Sequence, residues 1–272
     1  MTHYNRILIT GAAGRLGTEL RKGIAHLATH VRISDRVAMS GILPHEEAVV
    51  CELGDYSAVM ELTRDVDAIV HFGGAALETD FETILDSNIR GSYNIYEGAR
   101  KNRVKRLIYA SSVHAIGYHE LGNQIDADSP VRPDSLYGVS KNFVESLARL
   151  YWDKFEIESL CLRIFSSFPE PADRRMLWSW LSFRDCVQYV ERGLTAPHVG
   201  YTIGHGLSGN RVQPVDDSKA GHIGFHPQDS SESFRQSVER QTDIADPHVA
   251  GTRFIGGWFC ELGHPDDEGL KG

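Results

Sequence analysis

The stretch ILITGAAGRLG, residues 7–17, changes character halfway along. Its first residues are aliphatic or β-branched, the composition of a strand buried on both faces. Gly11, Gly14 and Gly17 then follow at three-residue intervals. The first glycine permits a tight turn after the strand. The second lets a pyrophosphate approach the backbone, and the third lets the following helix pack closely on the strand. The phosphates would sit on the N–H groups at the helix N-terminus. Gly11, Gly14, Arg15, Leu16 and Gly17 are therefore the expected cofactor loop. The spacing is Gly-x-x-Gly-x-x-Gly, not the commoner Gly-x-Gly-x-x-Gly. Its weight comes from its place in the first strand–turn–helix of an alternating series.

That series continues outward. RILIT (6–10), HVRIS (30–34), AVVCEL (48–53), AIVHFG (68–73), RLIYAS (106–111) and ESLCLRIF (158–165) read as strands. Helical patterns lie between them near 15–28, 56–64, 81–101 and 136–155. In the last, Leu136, Val139, Phe143, Leu147, Leu150 and Tyr151 recur at helical spacing, after Pro133 and a capping residue at Asp134 or Ser135. Strands alternating with helices predict an α/β fold, a Rossmann-type doubly wound parallel sheet. After residue 165 the rhythm breaks. Turn-rich FPEPADRRM is followed by short helices near 175–193 and 230–241 and one strand near 200–204. Residues 1–165 are expected to form the Rossmann unit, which binds the cofactor and carries the catalytic residues, and 166–272 a small C-terminal substrate-binding cap packed on it. The tail HPDDEGLKG (264–272) is expected to fray.

The bulk properties narrow the partners. Net charge is −9, from 37 acidic and 28 basic side chains, which argues against nucleic acid. No apolar run is long enough to span a membrane. The N-terminus runs straight into a strand pattern, unlike a signal peptide. Cys51, Cys161, Cys186 and Cys260 show no paired spacing, so they read as thiols of a reducing, cytoplasmic setting. His222 and His226 are four apart with no obvious third ligand, so no metal is expected.

Asp35 ends the second strand, 18 residues past Gly17. A carboxylate there accepts bonds from a ribose 2′-hydroxyl and repels a 2′-phosphate, which favours NAD. Arg36 beside it would tolerate NADP. Ser112 lies at the carboxyl end of the fifth strand, the edge where such sheets bind ligands. Tyr137 follows, with Lys141 one helical turn beyond. A phenol titrates near 10, too high for a base at neutral pH; an ammonium beside it, and the positive nicotinamide ring, should lower that value. Tyr137 could then take a substrate proton while Ser112 orients the hydroxyl and Lys141 grips the nicotinamide ribose.

With these residues in place, the chain resembles the extended short-chain dehydrogenase/reductase family through TGAAGRLG, FGGAA, NIRGSYNIYEGAR, ASSVHAIG and YGVSK. The resemblance implies Ser112, Tyr137 and Lys141 as the catalytic set, with Asn88 supporting a proton relay. Glu52, Leu53, Phe72, Gly73 and Gly74 are expected on the cofactor. Within that family the chain is most similar to the uronate dehydrogenases, through PHEEAVVCELGD, RPDSLYGVSK, SSFPEPADRRMLWSWLS, GFHPQDSSESFR and RFIGGWF. Those enzymes oxidise C1 of a cyclic hexuronic acid to a lactone using NAD. This likeness implies a sugar-acid substrate, with Arg175 on its carboxylate, Ser166 beside it, and Ala76, Val113 and His114 lining the sugar site. It also implies a homo-oligomer paired through the helices near 81–101 and 136–155.

Several pocket positions depart from that pattern. Ala76 stands where a serine is usual, Val113 where an asparagine is usual, Phe165 where a glycine is usual, and PVDD (214–217) replaces a tryptophan-rich stretch. Each removes a polar group or alters volume, so the reaction type is more firmly implied than the particular sugar acid. Two other readings share the motifs. A sugar-nucleotide epimerase or dehydratase would usually run longer and carry an acidic pair where this chain has Val113 and His114. A non-catalytic dinucleotide-sensing regulator would tend to lose the Tyr137–Lys141 pair.

Overall fold

The computed structural model describes residues 3–267. In chain order the elements are β1 (Tyr4–Thr10), α1 (Arg15–Gly23), β2 (Ala28–Asp35), β3 (Glu46–Val50), α2 (Tyr56–Leu62), β4 (Ala68–His71), α3 (Phe81–Ile84), α4 (Gly91–Lys101), β5 (Arg106–Ser112), α5 (Leu136–Phe155) and β6 (Glu158–Ile164). Then come β7 (Ser166–Ser167), α6 (Met176–Ser179), β8 (Trp180–Leu181), α7 (Phe183–Thr195), β9 (Tyr201–Gly206), α8 (Arg235–Gln241) and α9 (Ala250–Arg253). Seven strands form one sheet in the order β3-β2-β1-β4-β5-β6-β9, every pair parallel. Chain order reverses between β1 and β4, which opens the crevice above Gly11.

Alternation along each strand builds two cores. Ile7 and Ile9 of β1 point to the side of α1 and α7, meeting Leu20, Ile24, Tyr189 and Val190. Leu8 points the other way, into Ile95, Tyr96, Val144 and Tyr151 on α4 and α5. All four cysteines are buried free thiols.

Three boundaries differ from the sequence reading. The helix expected to reach residue 28 stops at Gly23, where α1 touches α7 so closely that a Cβ would lie 2.3 Å from Val187 Cγ1. The third strand lies at Glu46–Val50, not 48–53. Its first residues are charged because Glu46 takes two bonds from Arg21, at 2.8 and 2.6 Å. Cys51–Leu53 instead turns toward α2, which Asp55 caps through Ala58 N–H. Residue 165, expected to separate a cofactor unit from a cap, is no boundary of the sheet. The chain beyond it supplies β9 as the outer strand and α7 as a core helix. Of the tail expected to fray, residues 268–272 lie outside the described residues. Among the described residues, no helix is long and apolar enough to cross a membrane.

Helix α5 carries a further surprise. The apolar repeat located it correctly, yet Val139, Phe143 and Leu150 are exposed. The face turned to the sheet holds Tyr137, Ser140, Lys141 and Glu145 among its buried residues.

Candidate active site

The crevice floor is made by the glycine loop. Gly11 adopts φ +70°, and a Cβ on it would lie 2.4 Å from the Phe72 carbonyl oxygen. A Cβ on Gly17 would fall 2.1 Å from Gly11 O, so only glycine lets α1 start here. Gly14 differs. Its nearest neighbour would be Gly11 O at 3.2 Å, and it begins α1 with no side-chain cap. The first N–H groups of α1 are thus left to a ligand, and the positive end of the helix faces the same way. Arg15 reaches across the crevice to lie 4.6 Å over the Phe168 ring, with Leu16 half-buried beside it. One oxygen of Asp35 accepts the Ala13 N–H at 3.0 Å, tying the loop to the end of β2. This donor set, glycine-bared N–H groups at a helix start with a carboxylate beside them, fits a dinucleotide.

At the end of β4, Gly73 N–H donates to Thr10 Oγ1 at 3.2 Å. Thr10 Oγ1 lies 2.8 Å from His71 Nδ1, and His71 Nε2 lies 3.0 Å from Ser92 Oγ. Burial, helped by the Lys141 charge, pulls His71 down to about 3, so the ring is neutral. Leu53 is packed against Gly73 and Gly91, while Glu52 is exposed at the rim. Gly74, at φ +129°, passes Asn88 so closely that a Cβ would meet its Oδ1 at 2.7 Å.

Ser112 ends β5 and its Oγ accepts the His114 N–H at 3.3 Å. Ser135, not Asp134, caps α5 by accepting Gly138 N–H at 3.0 Å. Tyr137 and Lys141 follow on the buried face, 7% and 6% exposed. Lys141 Nζ donates to Ala110 O at 2.7 Å and lies over the rings of Tyr109 and Tyr137, at 4.9 and 5.1 Å. The structure thus joins Ser112, Tyr137 and Lys141. Asn88 reaches the same helix, α5, at Ser140, from the π-turn Leu85–Arg90 that links α3 to α4. Its side chain binds Ala75 N–H and carbonyl at 2.7 and 3.2 Å and donates to Ser140 Oγ at 3.1 Å. A π-turn widens the helix at one point and is frequent at functional sites.

The electrostatics differ from the expected acidic phenol. Burial pushes Tyr137 up to about 12, with the Ser112 hydroxyl opposing and Asp134 assisting. Burial also pulls Lys141 down to about 7, against the Glu145 charge. The ammonium lies over the ring face and is itself desolvated, so in the protein alone it does not make Tyr137 acidic.

The far side of the crevice comes from the chain beyond β6. Arg175 donates from Nη1 to Ser166 Oγ at 2.7 Å and Ser179 Oγ at 3.3 Å, and from Nη2 to Ile255 O at 2.6 Å. Its Nε is buried with no acceptor among the described residues, and no carboxylate there bridges it. Burial lowers its pKa. Arg174 is used differently. It ties down α8 through the carbonyls of Thr242 and Glu239, at 3.1 and 2.8 Å. His114 Nδ1 lies 2.8 Å from Asp134 Oδ2, its ring stacked on Phe259 at 3.7 Å and edge-on to Tyr137 at 5.7 Å. Ala76 is exposed on the loop after β4. Val113, expected on the sugar, instead turns its side chain into an apolar cluster with Ile116, Phe165 and Leu207. It is a branched side chain starting a 3-10 turn, with Phe165 filling the space ahead.

Three residues were missed. Glu78 accepts the N–H groups of Leu136 and Tyr137, at 2.9 and 2.7 Å. Asp134 sits in a slot where a Cβ on Gly117 or Gly256 would come within 1.8 or 2.0 Å of it. Phe259 covers His114. The adjacent Asp134 and Ser135 gave a faint signal, since one helix start needs one cap. Glu78 gave none.

A glycine turn that bares the start of a helix, with serine, tyrosine and lysine at the carboxyl edge of a parallel sheet, defines an extended short-chain dehydrogenase/reductase. The comparisons agree. A match to the NAD dependent epimerase/dehydratase family covers residues 7–181, and the chain belongs to that family. It is 48% identical to a uronate dehydrogenase of Pseudomonas putida, over 96% of this chain and 98% of that one. Among solved structures it is similar to a glucuronic acid dehydrogenase from Chromohalobacter salexigens, with TM-score 0.95 and 45% identity over 97% and 99% of the two chains. A uronate dehydrogenase variant from Agrobacterium tumefaciens, complexed with NAD, matches with TM-score 0.93 and 42% identity over 96% and 98%.

Proposed function

We propose that the chain is an NAD-dependent dehydrogenase that oxidises C1 of a cyclic hexuronic acid, of the galacturonate or glucuronate type, to the lactone. One observation carries the reading. Arg175, whose Nε has no acceptor among the described residues, bonds the Ile255 carbonyl, four residues before Phe259, whose ring lies beside Tyr137. A guanidinium so placed is a socket for a carboxylate, whose two oxygens match its fork.

Gly11, Gly14, Arg15, Leu16, Gly17 and Asp35 would hold NAD, with Phe72, Gly73 and Lys141 along its path. Bound NAD supplies the hydride acceptor for C1. Ser112 Oγ and the Tyr137 hydroxyl hold the C1 oxygen, and Tyr137 takes its proton as the carbonyl forms. Burial lifts the phenol to about 12, so a positive charge nearby must stabilise the phenolate before it can accept that proton. Lys141 supplies one such charge when protonated. Asn88, joined to Ser140 and the Ala75 backbone, would support the relay that carries the proton outward, by holding the first turns of α5. Arg175 and Ser166 hold the carboxylate, and His114 lies by the ring.

Residues 1–165 would carry cofactor and chemistry, and 166–272 the acid end. Exposed Tyr93, Val139, Phe143 and Leu150 on α4 and α5 support a homo-oligomer paired on that face. The direct test is NADH formation with galacturonate, glucuronate and the matching neutral aldoses. Turnover of the acids alone is expected; neutral sugars oxidised equally well would remove the assignment.

A further inference from the structure

The stretch RFIGGWF, residues 253–259, contributes none of the reacting side chains. Yet it touches both ends of the crevice. The Ile255 carbonyl takes Arg175 Nη2 at 2.6 Å, and its N–H donates to His119 O at 3.0 Å. Gly257 sits at φ +70°, where a Cβ would stand 2.6 Å from Arg175 Nε. Gly256 N–H donates to Gly117 O at 2.9 Å and forms one wall of the Asp134 slot. Phe259 stacks on His114, and its ring centre is 6.1 Å from that of Tyr137. From Ile255 to Phe259 the chain can span at most about 14 Å, so one short segment spaces the carboxylate socket from the reacting end.

We propose that Ile255–Phe259 is a specificity clasp in which Gly257 and Phe259 are positioning residues, holding Arg175 and His114 at a fixed separation. It rests on the uronate reading. Recognition of the acid then depends on the missing side chain at 257 as much as on the guanidinium. Adding one methyl must push the Nε edge of Arg175, because left-handed backbone and close contact both oppose it. Displacing a positioning group by about 1 Å can cost on the order of 100-fold. Removing the Phe259 ring frees His114 to turn about its bond to Asp134.

The experiment compares wild type, Gly257→Ala, Phe259→Ala and Phe259→Tyr. KM and kcat are measured for galacturonate, NAD affinity by fluorescence, and the rate at which 2,3-butanedione labels Arg175 by peptide mass mapping. Gly257→Ala should raise KM at least about tenfold while kcat and NAD affinity stay within about threefold, and should speed Arg175 labelling. Phe259→Ala should lower kcat/KM about tenfold and also speed labelling, and Phe259→Tyr should restore both. Wild-type KM and labelling in Gly257→Ala would overturn the clasp, as would a lowered melting temperature with neither changed. If Gly257→Ala does not fold, labelling of Phe259→Ala and its rescue by Phe259→Tyr decide the matter the same way. If wild type oxidises no uronate, the functional reading fails, whereas labelling still decides the clasp by itself.

Discussion

The two sides of the crevice are built by different means. The reacting side stands on long regular elements. Ser112 ends a seven-residue strand, and Tyr137 and Lys141 lie on a twenty-residue helix. The opposite side, where we place the substrate's acid group, has helices of four residues, α6 and α9, and strands of two. Side chains bonded to distant carbonyls hold it together: Arg175 to Ile255, Arg174 to Glu239 and Thr242, Asn210 to Trp178 and Trp180, Ser231 to Leu177. Backbone ladders fix a position from within an element, whereas cross-links fix it only while both partners stay in place. Substitutions on the first side should therefore act on the step they touch, and those on the second should spread to their partners.

Tyr137→Phe should give the largest effect and the cleanest one. The ring keeps its packing against Phe259 and Ile84, and only the proton acceptor is lost. Turnover of galacturonate should fall by about a thousandfold, with NAD affinity within about threefold of wild type. A parallel loss of NAD binding would mean that the helix is not a rigid mount for its side chains.

Arg175→Lys is the matching test on the acid side. The charge remains, but the planar fork does not, and one ammonium cannot serve Ser166, Ser179 and Ile255 together with a substrate carboxylate. KM for galacturonate should rise by about 10- to 100-fold, with a smaller change in kcat. Cross-linking predicts a second effect, a loosened Ile255–Phe259 segment, visible as faster amide exchange there. Exchange unchanged from wild type would erase the contrast between the two sides.

The same contrast governs what the sequence could reveal. The glycine loop, Asp35, Ser112, Tyr137 and Lys141 were legible because each requirement is local: a left-handed turn, a strand end, one helical turn. Asn88 and Arg175 are marked by family resemblance alone, since no local pattern around either residue signals its role. Glu78 was invisible because its partners are 58 and 59 residues away and nothing around it marks an acceptor of helix N–H groups. Periodicity found α5 but could not orient it. Its sheet-facing side had to carry Tyr137, Ser140, Lys141 and Glu145, so Val139, Phe143 and Leu150 went outward. The phenol's raised pKa in the protein alone is not legible for a related reason, since spacing reports neighbours and says nothing of desolvation.

Lys141→Met should separate chemistry from stability on the reacting side. Folding lowers the ammonium from its usual value to about 7. Between that value and the ordinary lysine range the unfolded chain holds a proton that the folded one releases, so stability rises with pH through this window. Below it, the folded protein bears the full cost of a buried cation. Methionine removes that cost. The inactive variant should melt several degrees above wild type at about pH 6, and its advantage should shrink toward about pH 10. An advantage that grew with pH would mean that Lys141 is stabilised in the fold by Glu145 more than it is penalised by burial.

Glu78→Gln should give the smallest effect and the sharpest one for the comparison, because Glu78 is a cross-link on the side built from regular elements. Its two oxygens accept from Leu136 and Tyr137, at 2.9 and 2.7 Å. Glutamine offers one carbonyl oxygen and an amide that cannot accept, so one helix N–H loses its partner, and the negative charge at the helix start is gone. Stability should drop by about 1 kcal/mol. Ser135 still caps through Gly138, so α5 should form, with its first turn less firmly held. Since Tyr137 lies in that turn and Lys141 a turn deeper, kcat should fall about three- to tenfold while NAD affinity holds. If kcat is untouched and only stability moves, the long helix fixes Tyr137 unaided. If kcat falls by more than about a hundredfold, the reacting side depends on its distant bonds as heavily as the acid side does.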